Sequence, residues 1–142
     1  MRLSPHFSLE ELTHSDTATR LGFDNTPNDE IIVNLTFLAS QLEHVRSILN
    51  HPILVSSGFR CHALNDHLGS NRTSKHTQGL ACDFICPSFG SPRDICDTLI
   101  AAGLDYDQII LEFDRWVHIA FTEDNPRQQA LIIDKEGTRE YK

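Results

Sequence analysis

Ile31, Leu35, Leu38, Leu42, Val45 and Leu49 recur every three or four positions, the spacing of a single buried helix face. They predict the longest helix of the chain. Thr26-Pro27 supplies a cap and a first-turn proline ahead of it, and Asn50-His51-Pro52 stops it. Nearer the start, Ser8 and Glu11 have capping-box spacing in a short helix within residues 7–12, and Phe7 can staple onto Leu12. Residues 16–25, with Gly22, read as loop. Beyond the long helix the period shortens. Residues 53–56 read as a strand, 63–68 as a short helix, 69–79 as polar loop and 80–85 as a second strand. Ser91-Pro92-Arg93-Asp94 caps a further helix that stops at Gly103. Residues 108–111 and 116–121 predict two strands around a tight turn, and 131–134 a last one. Helices come mainly first and strands mainly late, which predicts an α+β fold with helices packed on an antiparallel sheet.

At 142 residues the chain fits one domain, 1–142, large enough to hold a core without disulfides. Twelve Lys and Arg against twenty Asp and Glu give a net charge of −8. That balance argues against nucleic acid as a partner and against an anionic membrane surface, since both need clustered basic residues. No apolar run approaches the ~18–20 residues of a membrane span, and no apolar export leader follows Met1-Arg2-Leu3. The expectation is therefore synthesis in the cytosol, as a monomer. Cys61, Cys82, Cys86 and Cys96 form no C-x-x-C pair and read as small buried thiols.

Three ligand-type side chains stand at informative places: His76 in the polar loop, Asp83 inside the second strand, and His118 inside a late strand. Gly79 permits a turn that lets a loop histidine and a strand carboxylate converge. Two imidazoles and a carboxylate make a catalytic zinc set with one position left for water. A strand histidine is more often a satisfied core residue, and spacing alone favours that reading. Asp83, flanked by Ala81, Cys82, Phe84 and Ile85, favours the cation, because a buried carboxylate needs compensation.

Ser74-Lys75-His76-Thr77-Gln78-Gly79-Leu80-Ala81-Cys82-Asp83 matches the pattern S-x-H-x-x-G-x-A-x-D. Upstream stand Ser56-Ser57-Gly58-Phe59-Arg60 and Leu64-Asn65; downstream stands Trp116-Val117-His118. In these motifs, and in their order, the chain resembles the zinc D-alanyl-D-alanine carboxypeptidases. That group includes dipeptidases of vancomycin resistance and phage L-alanyl-D-glutamate endolysins. The likeness runs from Phe7-Ser8-Leu9 to Asn125-Pro126-Arg127 and is nearest to the compact, phage-associated branch. The resemblance implies the compact α+β fold shared with hedgehog and lysostaphin-type proteins. It also implies one Zn2+ per chain, held by His76, Asp83 and His118. It gives Arg60 the task of steadying a carbonyl or oxyanion, where a structural ion pair is the other reading. Ser74 becomes a contact to a ligand or to substrate, or simply a loop-ordering serine. Trp116 packs near the cleft.

The best-known relatives place a carboxylate three residues before the last histidine, where this chain has Arg115. Glu112 and Asp114 are the nearby acids. Val117, Ile119 and Phe121 form one apolar face of the second hairpin strand, leaving Trp116, His118 and Ala120 on the other. Ile109 and Leu111 share a face in the first strand, with Gln108, Ile110 and Glu112 opposite. Pairing apolar face with apolar face requires an odd loop, and Phe113-Asp114-Arg115 supplies it. Glu112 then lands beside Trp116 on the face of His118, and becomes the expected general base, a strand-end surface glutamate being its other reading. The implied activity is hydrolysis of a cell-wall peptide bond of D-Ala-D-Ala or L-Ala-D-Glu type, in a phage or prophage lysis setting that releases the protein to the wall. A non-catalytic peptidoglycan-binding or virion structural module is the alternative.

Overall fold

The computed structural model describes residues 1–142. In chain order the elements are β1 (Arg2–Ser4), β2 (Phe7–Ser8), α1 (Leu9–Thr13), α2 (Asp16–Leu21), α3 (Asp29–Leu49), β3 (Leu54–Ser57), α4 (His62–His67), a 3-10 turn (Lys75–Gln78), β4 (Ala81–Ile85), α5 (Pro92–Ala101), β5 (Gln108–Glu112), β6 (Trp116–Ala120), β7 (Gln129–Asp134) and β8 (Gly137–Glu140). The chain forms two compact units, residues 1–43 with 57–82 and residues 44–56 with 83–142.

In the first unit, β1 and β2 pair antiparallel and lead into α1. Ser8 Oγ accepts the Glu11 N–H at 3.1 Å, the cap expected of that serine. The 16–25 stretch is not all loop. Residues Asp16–Leu21 form α2, because Ser15 Oγ accepts the Ala18 N–H at 3.1 Å and Gly22 closes the last turn. The start of α3 also lies later than Thr26-Pro27 predicts. Asn28 Oδ1 accepts the Ile31 N–H at 2.9 Å, so Asn28 opens the helix while Thr26 is tied to Asp24 Oδ1. Phe7, Leu12, Leu35, Leu38, Leu42, Phe59 and Leu64 make the apolar core of this unit.

The second unit carries the sheet, although Ser57 of β3 and the first two residues of β4 belong to the first unit. Its six strands run in the order β3-β4-β6-β5-β7-β8. The predicted antiparallel sheet is instead mixed. β5 pairs antiparallel with β6 but parallel with β7, Ile110 standing opposite both His118 and Leu131. The cause is topological. β4 already flanks β6, so the connection after β6 carries the chain to the far side of β5, and β7 must then run in the direction of β5. Asp107, 3% exposed, fastens that connection: its carboxylate takes the Arg127 guanidinium (Nη2 to Oδ2, 2.8 Å) and its carbonyl accepts the Gln129 N–H. Ser91 and Asp94 cap α5 reciprocally, as their spacing predicts. Val45, Leu49, Phe84, Ile95, Leu99, Ile109, Val117, Ile119 and Phe121 fill this core. No helix is long and apolar enough to cross a membrane.

Glu43 on α3 holds the N-terminal hairpin of the first unit. Its Oε2 accepts from Ser4 Oγ at 2.6 Å and from the His6 N–H at 2.7 Å, and its Oε1 lies 2.7 Å from His6 Nδ1. Burial by itself pushes this carboxyl up, but the Ser4 and His6 hydrogen bonds and the His6 charge together hold it below its ordinary 4.5. A depressed folded-state pKa contributes stability above the unfolded value, and that contribution is lost as pH falls through the folded one. Glu43→Gln should therefore destabilise the protein at about pH 7, and the gap to wild type should close at about pH 3 in urea unfolding.

Candidate metal centre

His76 is held by the Ser74 hydroxyl and by backbone groups. It sits in the 3-10 turn that Ser74 opens: Ser74 Oγ accepts the His76 N–H at 3.2 Å, and the Ser74 carbonyl accepts Thr77 Oγ1–H at 2.7 Å. His76 is 2% exposed, and its Nδ1 lies 2.7 Å from the Gly58 carbonyl oxygen. A carbonyl only accepts, so Nδ1 carries a proton and Nε2 is the ring nitrogen that can serve as a metal ligand. Arg60 follows the same segment. Its N–H donates to the His76 carbonyl at 3.0 Å, its Nε to Ser57 Oγ at 3.1 Å and its Nη1 to Asn65 Oδ1 at 3.3 Å. Asn65, fully buried, in turn donates to the Asn71 carbonyl.

Asp83 stands mid-strand in β4 between buried Cys82 and Phe84, itself 8% exposed. Its Oδ1 accepts from His118 Nδ1 at 3.0 Å. His118 is equally buried, in the middle of β6 between Val117 and Ile119. The hairpin register is the one strand parity predicts. Ile110 faces His118 and Glu112 faces Trp116, which puts Glu112 on the His118 face, two register pairs along. The turn is three residues long, with Phe113 and Asp114 both at positive φ and the Arg115 N–H bonded to the Glu112 carbonyl. Asp114 and Arg115 are exposed at its tip. Trp116 packs on the Phe113 ring at 5.8 Å between centroids, and its buried Nε1 has no hydrogen-bond partner.

One ligand atom from each of His76, Asp83 and His118 lies within 4.8 Å of the other two. Ligands of a tetrahedral zinc, about 2.0–2.1 Å from the ion, are about 3.3 Å apart, so side-chain shifts of about an ångström close the set on an ion. The donor chemistry fits as well. Two imidazole nitrogens and one carboxylate oxygen suit zinc, and a cation answers the cost of a carboxylate and two imidazoles buried among apolar strands.

Residues 5–120 match the family model described as Peptidase M15. The chain belongs to the Peptidase M15 family. No curated protein matches it by sequence. The M15 match spans Arg60, Ser74, His76, Asp83, Glu112, Trp116 and His118. It makes the chain a member of a family of zinc peptidases, as the sequence motifs led one to expect. Missing from the sequence reading of this M15 chain are the Gly58 carbonyl and the Asn65 side chain. Gly58 and Asn65 lie inside motif segments, but a carbonyl acceptor has no side-chain signal, and a buried asparagine gives none of its partners away.

Gly79 joins the His76 turn to β4 at φ +75°, and a Cβ there would meet Ile31 Cγ2 and Leu35 Cγ at 3.1 Å. Gly79→Ala should cost about 1–2 kcal/mol from the left-handed backbone alone, and more from the crowding. Chemical denaturation at neutral pH measures it.

Proposed function

We propose that this M15 chain is a zinc-dependent peptidase that hydrolyses a cell-wall peptide bond of D-Ala-D-Ala or L-Ala-D-Glu type. The observation that carries the proposal is the convergence of His76, Asp83 and His118 in a chain matched to the family over residues 5–120. These three residues would hold one Zn2+. When bound, zinc supplies a Lewis acid and makes water nucleophilic at neutral pH.

The chain's own residues do the rest. The Glu112 carboxylate accepts a proton from the attacking water as its oxygen bonds to the peptide carbonyl carbon. Arg60 donates hydrogen bonds to the carbonyl oxygen as negative charge grows there, from a guanidinium already oriented by Ser57 and Asn65. Glu112 then passes the proton to the nitrogen as the C–N bond breaks, leaving a carboxylate and a free amine. Ser74 holds the turn that aims His76, and Trp116 walls the substrate side of Glu112. Action at the wall requires a route there, and a phage or prophage lysis setting supplies one.

Arg115, in the place where relatives carry their carboxylate, favours a second reading: a wall-binding or virion module that keeps the metal without turnover. The two readings separate in one experiment. Purified protein should hold about one zinc per chain and release amine from a D-Ala-D-Ala peptide or from peptidoglycan fragments. Glu112→Gln should keep the zinc and lose about 10²–10⁴-fold in turnover. Zinc binding with no turnover on any wall peptide supports the second reading, and absence of zinc binding removes both.

A further inference from the structure

Residues 58–61, between β3 and α4, belong to neither a strand nor a helix, so their backbone groups need partners from elsewhere. One side chain partners two of them, the Phe59 carbonyl and the Cys61 N–H. Asn25, half-buried in the connection between α2 and α3, donates from Nδ2 to the Thr13 carbonyl at 2.8 Å and to the Phe59 carbonyl at 3.0 Å. Its Oδ1 accepts the Cys61 N–H at 2.7 Å. The amide orientation follows from chemistry: turned over, it would set its NH2 against an N–H and its oxygen against two carbonyls.

The contacts on either side of Phe59 and Cys61 give this clamp its reach. The Phe59 N–H donates to the Leu12 carbonyl at 2.8 Å, and Gly58 packs so tightly there that an ideal Cβ would sit 2.3 Å from the same oxygen. The segment so fixed makes two bonds to His76, from the Gly58 carbonyl to ring Nδ1 and from the Arg60 N–H to the His76 carbonyl. Asn25 thus pins the peptide groups on both sides of Arg60 and, one residue further, the carbonyl that sets the His76 tautomer.

We propose that Asn25 is a positioning residue for the metal centre: by clamping residues 59–61 it holds the Gly58 carbonyl against His76 and keeps Nε2 as the ligand nitrogen. The consequence for catalysis rests on the zinc-peptidase reading; the effect on the ring does not. Outer groups that orient a metal-ligating histidine are worth about 10–100-fold in metal affinity.

The test compares wild type with Asn25→Ala, Asn25→Asp and a control, Ser15→Ala. The control removes the α2 cap and costs about 1 kcal/mol without touching residues 58–61. Asn25→Asp keeps an acceptor for the Cys61 N–H but loses both donors, so it carries the test should Asn25→Ala not fold. Two measurements are made: long-range 15N imidazole spectra of the metal-free proteins, and zinc affinity by chelator competition. Wild type and Ser15→Ala should show a single His76 ring state with Nδ1 protonated. The Asn25 variants should show a tautomer mixture and about tenfold weaker zinc binding. A wild-type His76 spectrum in a folded Asn25 variant overturns the proposal, as does loss of ring order in Ser15→Ala. If wild type binds no zinc while the ring still responds to Asn25, the positioning stands and the peptidase reading fails.

Discussion

A carboxylate in the middle of a buried strand imposes the condition that the rest of this molecule answers. Asp83 sits between Cys82 and Phe84, both fully buried, where an isolated charge would be too costly to keep. Hydrogen bonding to His118 meets part of that demand, and the convergence with His76 supplies a place where a divalent cation can meet more of it. The sheet order follows suit. β6, which carries His118, is flanked by β4 and β5, so its backbone is hydrogen-bonded on both edges and the imidazole stands on a rigid support.

The three candidate ligands are held by different means. Asp83 and His118 come from strands, where the pleat fixes which face each occupies. His76 comes from a single 3-10 turn, an element with little rigidity of its own. Its precision is borrowed from the Ser74 cap, the Gly58 carbonyl and the irregular segment that presents that carbonyl. The loop-borne ligand accordingly needs more hydrogen-bonded support than the strand-borne pair.

Much of this was legible in the residues. The α3 stripe is buried from Leu35 to Leu49, because a three-to-four spacing over twenty-one helical residues has only one way to hide its apolar face. The β5–β6 register followed from parity, since a one-residue slip would expose Ile109 and Val117. The ligand-type residues were visible because metal chemistry restricts which side chains can serve. Less legible was anything decided by backbone or by long-range connection. α2 escaped because six residues are too few for an apolar period, although Ser15 and Gly22 marked its ends. The parallel placement of β7 depends on which edge of β5 is vacant, and local pattern does not encode that. Asn25 looked like an ordinary turn residue, since an amide's partners thirty-odd positions away leave no trace in the local sequence.

The mixed topology also determines what the sheet presents at its outer margin. β8 is the last strand in the order, all four of its residues are exposed, and Arg139 there is locked to Asp134 on β7 by two hydrogen bonds. A short, ion-bearing border of this kind gives an incoming chain little to zip onto. An approaching strand meets at this margin a four-residue edge with a fixed ion pair beside it.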